Sequence, residues 1–277
     1  MEDIKANENI EIDLLLDSIY LKYGYDFRNY SKTSIRRRIL KFFEKSGLKS
    51  ISEMQNKLLY DIEFFNKILH ELTLTVTTMF RDPSFFVFLK NKIIPILKSK
   101  PFIKIWHAGC STGEEVYSMA ILLKEEKLDH KCLIYATDTK KSVLNKAKKG
   151  IFDIEKIPEF TKNYIDAQGK HSFSNYYIAK YNYAIIRNIR KDNLVFSNHD
   201  LVTDGIFGEL DMIICRNVLI YFNNELQEQI FRLFDNSLSK GGFLCLGSME
   251  TLQFSSVADQ FKIVSQKEKI YKKNRQI

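Results

Sequence analysis

Residues 102 to 118 read F-I-K-I-W-H-A-G-C-S-T-G-E-E-V-Y-S, and no other stretch limits the fold as sharply. A β-favouring run (Phe102, Ile103, Ile105, Trp106) meets a turn bounded by Gly109 and Gly113. That turn opens into a helix whose first turn carries Glu114 and Glu115. Strand, tight loop and helix N-terminus in that order build open α/β sheets, whose ligands bind beyond the carboxyl ends of the strands. A phosphate cradle would want bare amides and cations. Here neither G-x-G-x-x-G nor G-x-x-x-x-G-K-[ST] occurs, and two glutamates would repel the phosphate. A nucleophile elbow is formally matched by Gly109-Cys110-Ser111-Thr112-Gly113, with His199 downstream. Such a hydrolase places several strands before its elbow, whereas everything before residue 100 reads as helix. The third chemistry is a cofactor whose positive end lies against Glu114 or Glu115; S-adenosylmethionine, with its ammonium and sulfonium, has that character.

Lys131 to Thr137 (K-C-L-I-Y-A-T) predicts a second buried strand ending in Asp138, which lies 25 residues past Gly113. An acid at that strand tip can grip a ribose diol. Standing alone, Asp138 would more often be a cap for the helix K-K-S-V-L-N-K-A-K-K; the preceding turn shifts the balance to the ribose. Further on, Leu194 to Phe196 and Leu210 to Cys215 predict strands that deliver Asp200-Leu201 and Arg216-Asn217 to the ligand side. Asn223 to Leu238 predicts a helix, Phe243 to Gly247 a strand begun by Gly241-Gly242, and Phe261 to Tyr271 a terminal hairpin. Residues 150 to 193, rich in tyrosine, predict a small excursion of short antiparallel strands. The alternation from 102 to 250 predicts an α/β, doubly wound, mostly parallel sheet.

Before that sheet the chain reads as helices. Ile12, Leu15, Leu16, Ile19 and Tyr20 recur at helical spacing and Gly24 stops the run. Ser31 to Ser34 offers caps for a helix with an Ile35, Ile39, Phe42 stripe, and Ile51 to Leu69 supplies one or two more helices. Between Arg28 and Lys49 eight basic residues face one acid, Glu44, an excess that fits either a solvated face or a docking surface. The threonine-rich stretch from residue 72 predicts a linker, with Asp82 as an N-cap and Pro83 at the first helical position. The expected domains are 1–74, helical, and 75–277, α/β, with the β excursion at about 152–193.

The net charge of +8 implies an anionic partner without saying which. No stretch nears 18 consecutive apolar residues and the first nine residues are acidic and polar, so membrane insertion and export are not expected and the cytoplasm is. Cys110, Cys132, Cys215 and Cys245 lack C-x-x-C spacing and read as reduced core thiols; His107 with Cys110 is too thin a pair for a metal.

T-T-M-F-R-D, A-G-C-S-T-G-E-E-V-Y-S, A-T-D, C-R-N-V-L-I-Y-F and G-G-F-L-C-L-G-S-M-E, in this order, closely resemble the CheR family of chemotaxis receptor methyltransferases, and Y-G-Y-D-F-R-N-Y with S-I-R-R-R-I resembles its helical N-terminal domain. The resemblance implies a class I methyltransferase fold that moves a methyl group from S-adenosylmethionine to glutamates of chemoreceptors, leaving S-adenosylhomocysteine. Carried over by position, it implies that Thr75, Thr77 and Arg81 cover the cofactor, with Arg81 near the reacting carboxylate. Glu115, beside Glu114, would hold the amino group and Asp138 the ribose, at the turn begun by Gly109. Asp200-Leu201 and Cys215-Arg216 would flank the adenine and methionine ends, with Asn217 beside them and Tyr221 facing the substrate. Arg36, Arg37, Arg38 and Lys41 would dock the acidic helical hairpin of the methyl-accepting receptor, and the chain would work as a monomer. Three positions depart from the family pattern: Thr75 and Asp200 replace the usual asparagines, which bears on cofactor affinity, and Val116 a common proline. Many relatives tether a receptor-tail peptide through a glycine-bearing loop in the β excursion, where this chain offers only Gly169. The rivals are a nucleic-acid methyltransferase, favoured by net charge but lacking a [DN]-P-P-[YFW] loop, and a non-catalytic adaptor.

Overall fold

Residues 2–25, 27–28, 30, 32–72 and 77–274 are described by a computed structural model. Their contacts divide the chain into two units, Met1–Thr75 with Ile220–Gln227, and Val76–Leu219 with Glu228–Ile277.

The first unit is built from α1 (Glu2–Tyr23), α2 (Lys32–Ser46), α3 (Ile51–Tyr60) and α4 (Ile62–Leu72). Each helix buries one stripe: Ile12, Leu15 and Ile19 of α1 meet Ile35 and Ile39, Met54 and Leu58, and Phe65 and Ile68 in one core. Short polar side chains set the starts. Ser50 accepts from Glu53 N at 3.0 Å to begin α3, and Asp61 Oδ1 accepts from Phe64 N at 2.9 Å to begin α4. The segment 220–227 belongs here through an isolated antiparallel bridge between Tyr30 and Phe222, whose rings meet edge to face at 4.9 Å.

The basic run on α2 is not a single solvated face. Arg37 and Lys41 are exposed, but Arg36 is half-buried and ion-paired with Glu8. Arg38 is buried, hydrogen-bonded to the Leu72 carbonyl and stacked 4.3 Å over the Tyr221 ring. This corrects the expectation that all four residues present charge to a partner. A guanidinium within an apolar core must find its acceptors internally; Arg38 does so through Nη1 on Leu72 O, while its Nε has no partner among the described residues.

In the second unit the strands are β1 (Ile103–Ala108), β2 (Cys132–Asp138), β3 (Ile151–Asp153), β4 (Tyr177–Lys180), β5 (Tyr183–Ile186), β6 (Leu194–Asn198), β7 (Leu210–Cys215), β8 (Leu238–Leu246), β9 (Phe261–Ser265) and β10 (Ile270–Lys273). Seven of them form one sheet in the order β6-β2-β1-β7-β8-β10-β9, parallel except where β10 runs against β8 and β9. Every residue of β7 is buried, the continuous apolar pattern of a strand covered on both faces. The covering helices are α5 (Pro83–Phe88), which runs through a π turn at Leu89–Ile93 into α6 (Ile94–Leu97), then α7 (Glu114–Glu125), α8 (Lys141–Lys149), α9 (Ile157–Asp166) and α10 (Asn224–Ser237). The second sheet, β3-β5-β4, is the antiparallel excursion that the tyrosine-rich stretch predicts. β8 begins at Leu238, earlier than the paired glycines suggest, because Leu238 already pairs with Leu210 across a bulge.

The order β2-β1-β7 places the topological switch between β1 and β7, since the chain leaves β1 to one side and fills the other side later. In an open α/β sheet the ligand crevice lies beyond the carboxyl ends of the strands at such a switch.

Candidate active site

The turn after β1 is held against β2. The amides of Gly109 and Cys110 both donate to Thr137 O, at 2.9 and 2.8 Å, and Ser111 N donates to Asp138 Oδ2 at 2.9 Å. Gly109 is required here: its φ is +79°, and a Cβ would stand 2.6 Å from Val218 Cγ2. Ser111 is itself left-handed at φ +50°, and its hydroxyl is buried with no hydrogen-bond partner among the described residues. Asp138 also accepts from Lys140 N at 3.1 Å, so it serves both as a local cap and as an anchor for the turn. Burial pushes its carboxyl above the usual range, against the opposing pull of the Lys140 and Ser111 amides.

The two glutamates at the start of α7 have separate surroundings. Glu114 is buried, accepting from Thr112 Oγ1 at 2.6 Å and paired with Lys156 Nζ at 3.4 Å; its burial raises its pKa despite the Thr112 bond. Glu115 faces the strand ends. Its Oε1 lies 3.2 Å from His107 Nδ1 and its Oε2 lies 2.8 Å from Arg216 Nη1. Burial alone would raise its pKa, but the His107 hydrogen bond and the Arg216 charge outweigh burial and hold it below the usual carboxylate range.

Arg216, at the end of β7, is the hub. Its side chain is 3% exposed, its Nη2 lies 2.5 Å from Asp82 Oδ2, its Nη1 also reaches Arg81 O at 3.3 Å, and its plane stacks 4.1 Å over the Phe85 ring. Asp82 occupies the N-cap position of α5, with Pro83 in its first turn as expected, but through its backbone alone: it sits at φ +55° with no side-chain cap bond, its carbonyl accepts from Phe85 N at 2.9 Å, and its carboxylate is turned to Arg216. Phe80, at φ +53°, is left-handed as well, so Arg81 stands between two non-glycine residues in a strained conformation. The strain is held by packing: Phe80 N donates to Ser118 Oγ at 2.8 Å, and its ring meets Phe86 and Tyr164.

One residue to which the motifs give no role fixes the opposite wall. Glu250 is buried and its carboxylate accepts from Asn217 N (3.1 Å), Val218 N (2.8 Å), Leu219 N (2.7 Å) and Gly247 N (2.5 Å). It ties the loop after β7, where Asn217 is left-handed at φ +59°, to the end of β8. On the other side, the segment after β6 is fixed to the end of β2 by Asn198 Nδ2, which donates to Asp138 O and Thr139 O at 3.0 and 2.9 Å. Leu201 is buried, and Asp200 turns its carboxylate onto Val202 N at 2.9 Å.

The strand ends thus gather Gly109, Glu115, Asp138, Cys215, Arg216 and Asn217, with Asp200-Leu201 beside β2 and Arg81 above Arg216. Thr77 is half-buried, and Thr75 lies outside the described residues. Tyr221 is grouped with the first unit and packs under Arg38. Gly169, the one glycine offered by the β excursion, packs against Tyr164, where a Cβ would come within 2.0 Å of the ring. The sequence shows Asp82 as an N-cap but not the second role of its carboxylate on Arg216, and it gives His107 no partner, because a histidine eight residues before a glutamate meets it only once the turn has reversed the chain.

Asp82, Glu115 and Arg216 together carry a formal charge of −1, which favours a cation in the crevice. Glu115 keeps acceptor capacity beyond its two bonds, since a carboxylate offers about four lone-pair sites. The Ser111 hydroxyl, without a partner among the described residues, adds a polar contact for a nucleoside. These features fit S-adenosylmethionine.

Among family models, CheR methyltransferase, SAM binding domain, matches residues 75–270, and CheR methyltransferase, all-alpha domain, matches residues 10–73. The chain is 46% identical over 270 residues to Cher3 of Pseudomonas putida, covering 98% of this chain and 99% of that one. It is 31% identical over 232 residues to the chemotaxis protein methyltransferase of Listeria monocytogenes (83% and 85% covered). To that of Borreliella burgdorferi it is 30% identical over 273 residues (90% and 92% covered). Matches that span most of both chains, to both domains of one family, place the chain in the CheR family of S-adenosylmethionine-dependent chemotaxis methyltransferases.

Proposed function

We propose that the enzyme esterifies glutamate side chains in the cytoplasmic part of methyl-accepting chemoreceptors, as a protein-glutamate O-methyltransferase. The observation that carries this reading is the anionic triad Glu115–Arg216–Asp82 at the strand ends, whose Arg216 also donates to the Arg81 carbonyl. The triad suits the donor's cationic end, and Arg81 supplies a cation for a carboxylate acceptor.

The bound donor supplies an electrophilic methyl group. Glu115 takes its ammonium, Asp138 its ribose hydroxyls, and Asp200-Leu201 borders the adenine. An acceptor glutamate, with a reference pKa of about 4.3, is already ionised at neutral pH and needs no general base. Catalysis is then alignment, which can supply roughly 7 to 11 kcal/mol when the reacting atoms are held in line. Arg81 aims the carboxylate. An arginine that gripped it too tightly would stabilise the charged ground state, so a guiding contact suits the reaction better than a clamp. Receptor docking falls to Arg37 and Lys41, the exposed members of the basic run.

The test is incubation with methyl-labelled S-adenosylmethionine and receptor-bearing membranes, with RNA in a parallel reaction. Base-labile label in the receptor fraction is expected. Base-stable label in RNA, or no transfer to either, contradicts the reading.

A further inference from the structure

We propose that His107 is a positioning residue for the amino end of the methyl donor, holding Glu115 in the orientation that leaves its remaining lone pairs for the ammonium. The proposal rests on Glu115 as the ammonium's ligand.

His107 lies on β1 and is 1% exposed. Its strand neighbours are Ala136 and Ile214, which offer no polar side chain. Nδ1 meets Glu115 Oε1 at 3.2 Å, and Nε2 is buried with no partner among the described residues. A carboxylate only accepts, so Nδ1 carries a proton and donates it to Glu115. Leaving a buried polar atom unmet costs about 1–3 kcal/mol, so an aliphatic side chain would fill the same space with less penalty. What an aliphatic side chain cannot do is hold Glu115.

Glu115 needs holding because Arg216 competes for it. Arg216 already bonds Oε2, and a guanidinium prefers to engage both oxygens of a carboxylate. A Glu115 freed from His107 can swing into that fork, which would neutralise it and withdraw it from the ammonium. With His107 on Oε1 and Arg216 on Oε2, each oxygen keeps one acceptor site of the roughly four available.

Isothermal titration of wild type, His107→Leu and His107→Asn with S-adenosylhomocysteine and with 5′-methylthioadenosine, which lacks the amino-acid end, tests this. His107→Leu should weaken S-adenosylhomocysteine about ten-fold, the scale of one hydrogen bond to a charged group, and leave 5′-methylthioadenosine within about two-fold. His107→Asn, whose amide can still donate to Glu115, should restore most of the difference. Should His107→Leu not fold, His107→Phe serves as the donorless variant. Equal weakening of both ligands, or of neither, overturns the proposal. Glu115→Gln run alongside separates the two layers. If it fails to discriminate between the ligands, the reading of Glu115 is wrong; if it discriminates and the donorless His107 variant does not, only the role of His107 is.

Discussion

Arg216 Nη2 lies 2.5 Å from Asp82 Oδ2, a bond that joins the end of β7 to a residue 134 positions earlier in the chain. One partner is almost fully buried and the other is 44% exposed, so the two halves of the pair differ in consequence. Arg216→Met leaves the largely buried Glu115 without its guanidinium partner and should destabilise the protein by about 3 kcal/mol. Asp82→Asn removes a solvent-screened charge and should cost about 1 kcal/mol or less. Urea denaturation of the two variants checks the order; equal losses would contradict the hub role of Arg216.

Arg81 stands between two left-handed residues, with its carbonyl bound to Arg216. Arg81→Ala keeps that backbone bond and removes only the guanidinium. Turnover should fall sharply while the melting temperature stays within a few degrees of wild type. Unchanged turnover in purified, folded variant would remove Arg81 from the chemistry.

The α2 arginines divide by burial. Charge reversal at Arg37 and Lys41 together should raise the apparent KM for receptor several-fold and leave S-adenosylhomocysteine binding alone. Arg38→Ala should act on stability instead, by about 1–3 kcal/mol, through the lost Leu72 hydrogen bond and the Tyr221 stacking. Steady-state kinetics with receptor membranes, paired with thermal melts, separates the two effects; a KM change from Arg38→Ala with full stability would contradict the division.

Glu115 gives a pH signature. Its carboxyl is held low in the fold, so its contribution is complete above the unfolded value of about 4.3 and is lost as pH falls below that. The stability advantage of wild type over Glu115→Gln should therefore shrink on acidification from about pH 6 to about pH 3. A gap that widened would mean that burial wins over His107 and Arg216. Unfolding curves at several pH values measure it.

Much of this is legible in the sequence. The strand-turn-helix at 102–118, the acid at the tip of β2 and the alternation that follows dictate the sheet, because each is a local pattern: buried runs, glycine at positive φ, acids in a first helical turn. What stayed hidden depends on distant partners. Asp82 before Pro83 is the cap its local form announces, yet its carboxylate goes to Arg216; Arg38 sits in a basic run and points inward; Glu250 gathers amides from two strand ends. Composition and spacing carry no sign of such pairings, because burial and tertiary acceptors decide them.

The arrangement of the donor is tested most directly by a crystal structure of the protein with S-adenosylhomocysteine. The account predicts the α-amino nitrogen within hydrogen-bond distance of Glu115, on the side away from His107 and Arg216, with the ribose hydroxyls on Asp138. A product bound with its amino end elsewhere, and Glu115 still engaged only by His107 and Arg216, would contradict it.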